Sequence, residues 1–95
     1  MRINDILWLP DVVDKLDWKH GVHPEEVEQV FDSDPQYRRI ERGKVRGEDL
    51  YTAQGQTDTG RYLIAFFIHK KSGAALVISA RDMTTKERKR YGRTR

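Results

Sequence analysis

The spacing of apolar residues changes once along this chain, near Tyr37, and that change limits the folds open to it. Before Tyr37, Val12, Val13 and Leu16, and then Val27, Val30 and Phe31, recur at three- and four-residue intervals. That repeat gathers side chains on one face of a helix. From Tyr37 onward the repeat is two, the period of strands that bury one face. Helices therefore come first and a sheet follows.

Local signals divide the chain further. Residues 3–9 suit a short first strand stopped by Pro10. Pro10 or Asp11 opens a helix, because proline at the first helical position loses no donor the helix needs, and Gly21 is its C-terminal stop. A second helix begins near Pro24, with Glu25 and Glu26 where the macrodipole favours acids; Ser33, Asp34 and Pro35 break it. Strands are expected over residues 37–42 (an arginine-rich edge), 50–56, 61–69 (the central strand) and 74–80. The turns fall at 43–47, at Asp58-Thr59-Gly60 and at 70–73. Thr84 or Thr85 caps a last, basic helix with Glu87 near its start. Two N-terminal helices, an antiparallel meander of about four strands and a C-terminal basic helix make an α+β fold. A chain of 95 residues is one domain, read here as residues 1–91 with a basic tail over 92–95.

Composition narrows the chemistry. There is no cysteine, which excludes a disulfide framework, thiol catalysis and cysteinyl zinc, and makes a reducing cytoplasm the expected compartment. The longest apolar run, residues 63–68, is far short of the roughly 20 residues that span a bilayer, so no membrane role is expected. No signal-peptide pattern opens the chain. His20 and His23 lie three apart, but Gly21 breaks the helical geometry between them and no third ligand is near, so no metal or other cofactor is expected. The glycines form no phosphate-binding loop, and Ser79 has no partnered base.

Charge is strongly polarised. Residues 1–34 carry nine acids and three bases, a balance of −6, whereas residues 35–95 carry six acids and fifteen bases, a balance of +9. Six of those bases, Lys86, Arg88, Lys89, Arg90, Arg93 and Arg95, lie in the last ten residues. A basic half interleaved with Tyr37, Tyr51, Tyr62 and Tyr91 suits a polyanion such as RNA; a solvated surface with a basic tail is the plainer reading.

Three stretches carry a resemblance. Lys19-His20-Gly21-Val22 with Pro24-Glu25-Glu26-Val27 and Val30-Phe31, then Gly55-Gln56-Thr57-Asp58 with Gly60-Arg61-Tyr62-Leu63, then Ile78-Ser79-Ala80-Arg81 with Thr84, Thr85, Glu87-Arg88 and Tyr91, together resemble the BrnT toxins in order and spacing over residues 18–91. The resemblance implies a RelE-like ribonuclease toxin of a type II toxin–antitoxin system that cuts RNA and arrests translation. It also implies a cognate antitoxin, BrnA-like or an unrelated small protein, held in a toxin–antitoxin hetero-oligomer. Two places depart from the family pattern. Ile6-Leu7-Trp8-Leu9-Pro10-Asp11 replaces a "FEWD"-like start, and Glu48 is followed by Asp49-Leu50 where a Glu-Arg pair is common.

Metal-free RNA cleavage needs a base for the 2′-hydroxyl, cations for the phosphate and a proton for the leaving oxygen. Arg81 and Arg61 are the candidate phosphate clamps, since a guanidinium can pair with two phosphate oxygens. His20, Glu48 and Tyr91 are the acid–base candidates, with Tyr91 also able to stack on a base. Lys19, Arg88, Lys89 and Arg90 are candidate RNA contacts. Plainer roles compete: His20 at a helix end, Arg61 facing solvent, Glu87 in helix-start electrostatics, Tyr91 packing the last helix. A non-catalytic RNA- or partner-binding module with a toxin-like fold is the alternative to an endoribonuclease, and a protein whose basic tail docks on an acidic partner is the third reading.

Overall fold

The computed structural model describes residues 1–94; Arg95, counted above in the tail, lies outside the described residues. The elements run β1 (Asp5–Leu7), α1 (Pro10–Lys15), α2 (Pro24–Asp32), β2 (Gln36–Glu41), β3 (Leu50–Gln56), β4 (Tyr62–His69), β5 (Ala74–Asp82) and α3 (Thr85–Thr94). A π-helical stretch, Leu16–His20, extends α1. Gly21 then takes a left-handed conformation (φ 60°), and the Val22 N–H closes back on the Leu16 carbonyl at 3.0 Å, the cap a glycine makes accessible.

All five strands join one sheet in the order β1-β5-β4-β3-β2. Strands β2 to β5 form the expected antiparallel meander, with β4 at the centre and β2 at an edge. The first strand is shorter than the expected residues 3–9: it pairs over only three residues, Asp5, Ile6 and Leu7 against Ala74, Ala75 and Leu76, and runs parallel to β5. Its ends are committed elsewhere: the Asn4 N–H bonds the Gly73 carbonyl in the turn before β5, and the Leu9 carbonyl already accepts the first N–H groups of α1.

One face of the sheet carries α1 and α2. Leu16, Val22, Val27 and Val30 pack there on Ala53, Leu63, Phe67 and Val77. Phe67 is the centre, with Phe31 edge-on at 5.2 Å and Tyr51 stacked at 5.9 Å; burying such a side chain is worth about 1.5–3 kcal/mol. Gly55 lets α2 approach, since a Cβ there would stand 2.9 Å from Ser33 Oγ and 3.3 Å from Val30 Cγ1.

The other face is only partly covered. Tyr91 of α3, 2% exposed, packs with Ile64 and Met83 beside Tyr62 and Phe66. Gln36 Nε2 also donates to the Tyr91 carbonyl at 3.1 Å. Helix α3 continues as far as Thr94, so residues 92–94, expected as tail, are helical. The acid-rich α1 and α2 therefore lie on one face and the basic α3 on the other.

A bulge in β5 decides which side chains reach that second face. Phe67 pairs with Val77 and Phe66 with Ser79, which leaves Ile78 unmatched and 39% exposed. Strict alternation would give Val77 and Arg81 the same face; one extra residue inverts the phase. Val77 and Ala80 both enter the core, and Ser79 and Arg81 turn to the open side.

Candidate functional site

Two rows of side chains cross the open face. One runs Arg38, Thr52, Phe66, Ser79, and the other Gln36, Gln54, Ile64, Arg81, each from β2 through β3 and β4 to β5. Helix α3 borders them with Lys86, Glu87 and Arg90, and Ile40 closes the β2 side. The result is a hollow of about 290 Å³ with a partly apolar floor and a cationic rim.

Arg81 is held in place by its neighbours. Its Nη1 and Nη2 donate to the two carboxylate oxygens of Glu87 at 2.7 and 3.0 Å, and Nη1 also reaches the Asp82 carbonyl at 3.1 Å. The guanidinium carbon stands 5.5 Å from the Phe66 ring centroid, within cation–π range. Glu87 is fixed in turn by a capping box at the start of α3: its Oε1 accepts the Thr84 N–H at 2.8 Å, and its own N–H donates to Thr84 Oγ1 at 3.1 Å. The hydrogen bond from Arg81 holds the Glu87 carboxyl below the usual carboxylate range, and the same bond raises Arg81. Arg38 and Lys86 are exposed and form no ion pair among the described residues.

The floor holds an anomaly. Thr52 is 1% exposed and Gln54 8%, yet Thr52 Oγ1 and Gln54 Oε1 have no hydrogen-bond partner among the described residues. Buried polar atoms in native proteins are nearly always paired. Both orphans line this one hollow.

The remaining expected site residues lie elsewhere. Arg61 is on the helical side, where its donors are spent within the chain. Nε and Nη2 bond Asp82 at 2.7 and 3.0 Å, Nη1 bonds Glu26 at 3.1 Å and the Gly21 carbonyl at 2.8 Å, and Nη2 bonds the His20 carbonyl at 3.1 Å. It is the arginine, rather than the His20 imidazole, that satisfies the carbonyls at that helix end. Its bond to Asp82 raises Arg61 and lowers Asp82. His20 and the exposed Lys19 belong to the same π-helical stretch, away from the hollow. Glu48 precedes β3 and pairs with Lys70 at 3.4 Å. It stands at the opposite end of the sheet from Arg61, roughly 25–30 Å away by strand rise.

Tyr91 packs edge-on against Tyr62 at 6.0 Å, and Arg88 covers the same ring at 4.1 Å. With Lys89 they border a separate hollow beside α3. Of the expected set, then, Arg81 and Arg90 share the first hollow. Arg38, Thr52, Gln54 and Phe66 join them without having been singled out, Lys86 joins them having been read only as one of the C-terminal bases, and Glu87 joins them as more than a helix-start charge. A count of alternation from the partly buried Tyr37 puts Arg38 on the open side, the one signal the sequence offered.

Among the described residues no three histidine, aspartate or glutamate side chains cluster as a metal site would require, and no helix is long and apolar enough to cross a membrane. Residues 14–87 match the family model described as the ribonuclease toxin BrnT of type II toxin-antitoxin systems. No curated protein matches the chain.

Proposed function

This chain belongs to the BrnT family of ribonuclease toxins of type II toxin–antitoxin systems, and from that premise we propose that it is an endoribonuclease whose site is the hollow beneath α3. One observation carries the reading: Arg38, Arg81, Lys86 and Arg90 converge on a half-covered sheet face beside a fixed carboxylate. The scissile phosphate displaces Glu87 from Arg81 and takes both guanidinium donors, an exchange of one bidentate oxyanion for another. Glu87, released beside the sugar, accepts the 2′-hydroxyl proton as the O2′–P bond forms. Lys86, Arg38 and Arg90 stabilise the charge on the phosphorane and on the departing 5′ oxygen, which solvent protonates. Side-chain cations thus supply the charge stabilisation that a metal ion would otherwise give, so the cleavage is metal-independent. Arg61 acts from the other face by holding β5, α2 and the end of the π-helical stretch together.

Cleavage of cellular RNA would arrest translation, and a cognate antitoxin would neutralise the toxin. Trp18, 75% exposed on the helical face, supports a protein partner there. The binding-module reading keeps one observation in its favour, the absence of an arginine after Glu48, where Asp49-Leu50 stands.

The test is digestion of total RNA in EDTA by the wild type and Arg81→Ala. We expect cleavage by the first and at least about a hundredfold less by the second, the scale of losing one transition-state cation. Undegraded RNA with retained binding would give the binding-module reading the lead.

A further inference from the structure

We propose that the floor of this hollow is a nucleobase subsite, in which Thr52 and Gln54 read the hydrogen-bonding edge of one unpaired RNA base and so set the sequence at which the protein acts. The inference rests on the reading of the hollow as an RNA site and adds what lies beneath the phosphate.

Gln54 Oε1 cannot take a phosphate diester as its ligand. Gln54 Oε1 is an acceptor, and a phosphate diester offers only acceptors. The partner must bring an N–H or O–H donor. Thr52 Oγ1 can donate or accept. The two side chains sit two residues apart on one strand, on one face, roughly 7 Å along β3. A base edge, with donor and acceptor atoms side by side, bridges that gap with two hydrogen bonds.

The surroundings agree. Phe66 lies beside Thr52 in its row and Ile64 beside Gln54, an apolar floor on which a flat ring can rest. Arg81 above Phe66 presents a guanidinium plane. Aromatic rings and guanidinium planes are the surfaces on which splayed, single-stranded bases stack. The hollow, about 290 Å³, sits at the lower limit of small-ligand pockets, room for one nucleotide and not for a duplex. The rim cations would then hold the backbone and the floor would read the base, the usual separation of positioning from specificity.

Four otherwise identical single-stranded RNA nonamers differing only at the central base, A, C, G or U, give the test. Binding by fluorescence anisotropy and cleavage in EDTA are measured for the wild type, Thr52→Val and Gln54→Leu. We expect one base to be preferred by about tenfold or more, the discrimination one good hydrogen-bonded pair supplies, and each variant to reduce that preference at least about threefold. Both variants should melt no lower than the wild type, because each removes a buried polar atom that has no partner in the free protein. Equal binding and cutting of all four nonamers, or an unchanged preference in both variants, overturns the subsite. If all four bind equally but the DNA version binds poorly, the floor reads a ribose hydroxyl instead, and the proposal also falls. Base-selective binding without cleavage keeps the subsite and removes the endoribonuclease reading; no binding and no cleavage removes both.

Discussion

Arg61 and Arg81 stand twenty residues apart with similar partly buried side chains, and their surroundings give them opposite uses. Arg61 touches three chain segments at once: Glu26 on α2, Asp82 at the end of β5, and the carbonyls of His20 and Gly21. Alanine there strands two carboxylates and two carbonyls. We expect Arg61→Ala to cost on the order of 2 kcal/mol, or about 10 °C in the thermal midpoint of a domain this size. Arg81 has one main partner, Glu87, which keeps its cap on α3 without it. Arg81→Ala should therefore lower the midpoint by only about 4 °C while removing cleavage. Melting curves and RNA digestion on the same two variants check the division; an Arg61→Ala protein that melts like the wild type would show its network to be ornamental. Their sequence contexts did not separate the two arginines, because both lie at strand ends. The difference is one of face: Arg61 meets Glu26, His20 and Gly21, 35 to 41 residues away, whereas Arg81 meets Glu87, six residues away, on the other side.

Whole elements were more legible than their faces. The change of apolar period at Tyr37, the stops at Gly21 and Pro35, and the turn residues before β4 and β5 marked nearly every boundary, because those signals act through local backbone preference. What stayed hidden depends on pairing: the three-residue ladder of β1, its parallel sense, and the bulge at Ile78 that turns Arg81 outward. Glu87 shows the same limit. Its place near a helix start was readable, but its bidentate hold on Arg81, which joins α3 to β5, was not. That hold has a pH signature. Arg81 keeps Glu87, and Arg61 keeps Asp82, below the usual carboxylate range. A carboxylate depressed in the folded state gives stability that is fully present above its unfolded value, about 4, and that is lost as pH falls through the folded value. The melting temperature should thus be flat from pH 7 to about 5 and drop below about 4. Glu87→Gln should begin some 4–8 °C lower at neutral pH, about 1 kcal/mol, and converge on the wild type in acid. Parallel curves for the two proteins would mean that the pair contributes nothing to stability.

At the scale of the molecule, the sheet converts a charge polarity along the sequence into one across its two faces. The acidic N-terminal third forms the helical layer on one side, and α3, with Arg38 and Arg81 beside it, makes the other side basic. Such a dipole orients the protein toward a polyanion before contact, since the acidic face is repelled while the basic one is drawn in. It also makes affinity an ionic-strength measurement. If Arg38, Arg81, Lys86 and Arg90 each neutralise one phosphate, binding to a single-stranded RNA should weaken with salt at a log–log slope of about −3, near −0.7 per phosphate. Removing one of the unpaired rim cations, by Arg38→Ala or Lys86→Ala, should lessen the slope by about 0.7. Lys15→Ala, on the exposed side of α1, should leave the slope unchanged although it alters net charge equally. Equal changes for all three variants would mean that RNA senses only the total charge, and the hollow would lose its standing as the contact surface. A slope lost at the rim and kept on the helical face would instead tie the field of the whole molecule to four side chains around one bulged strand.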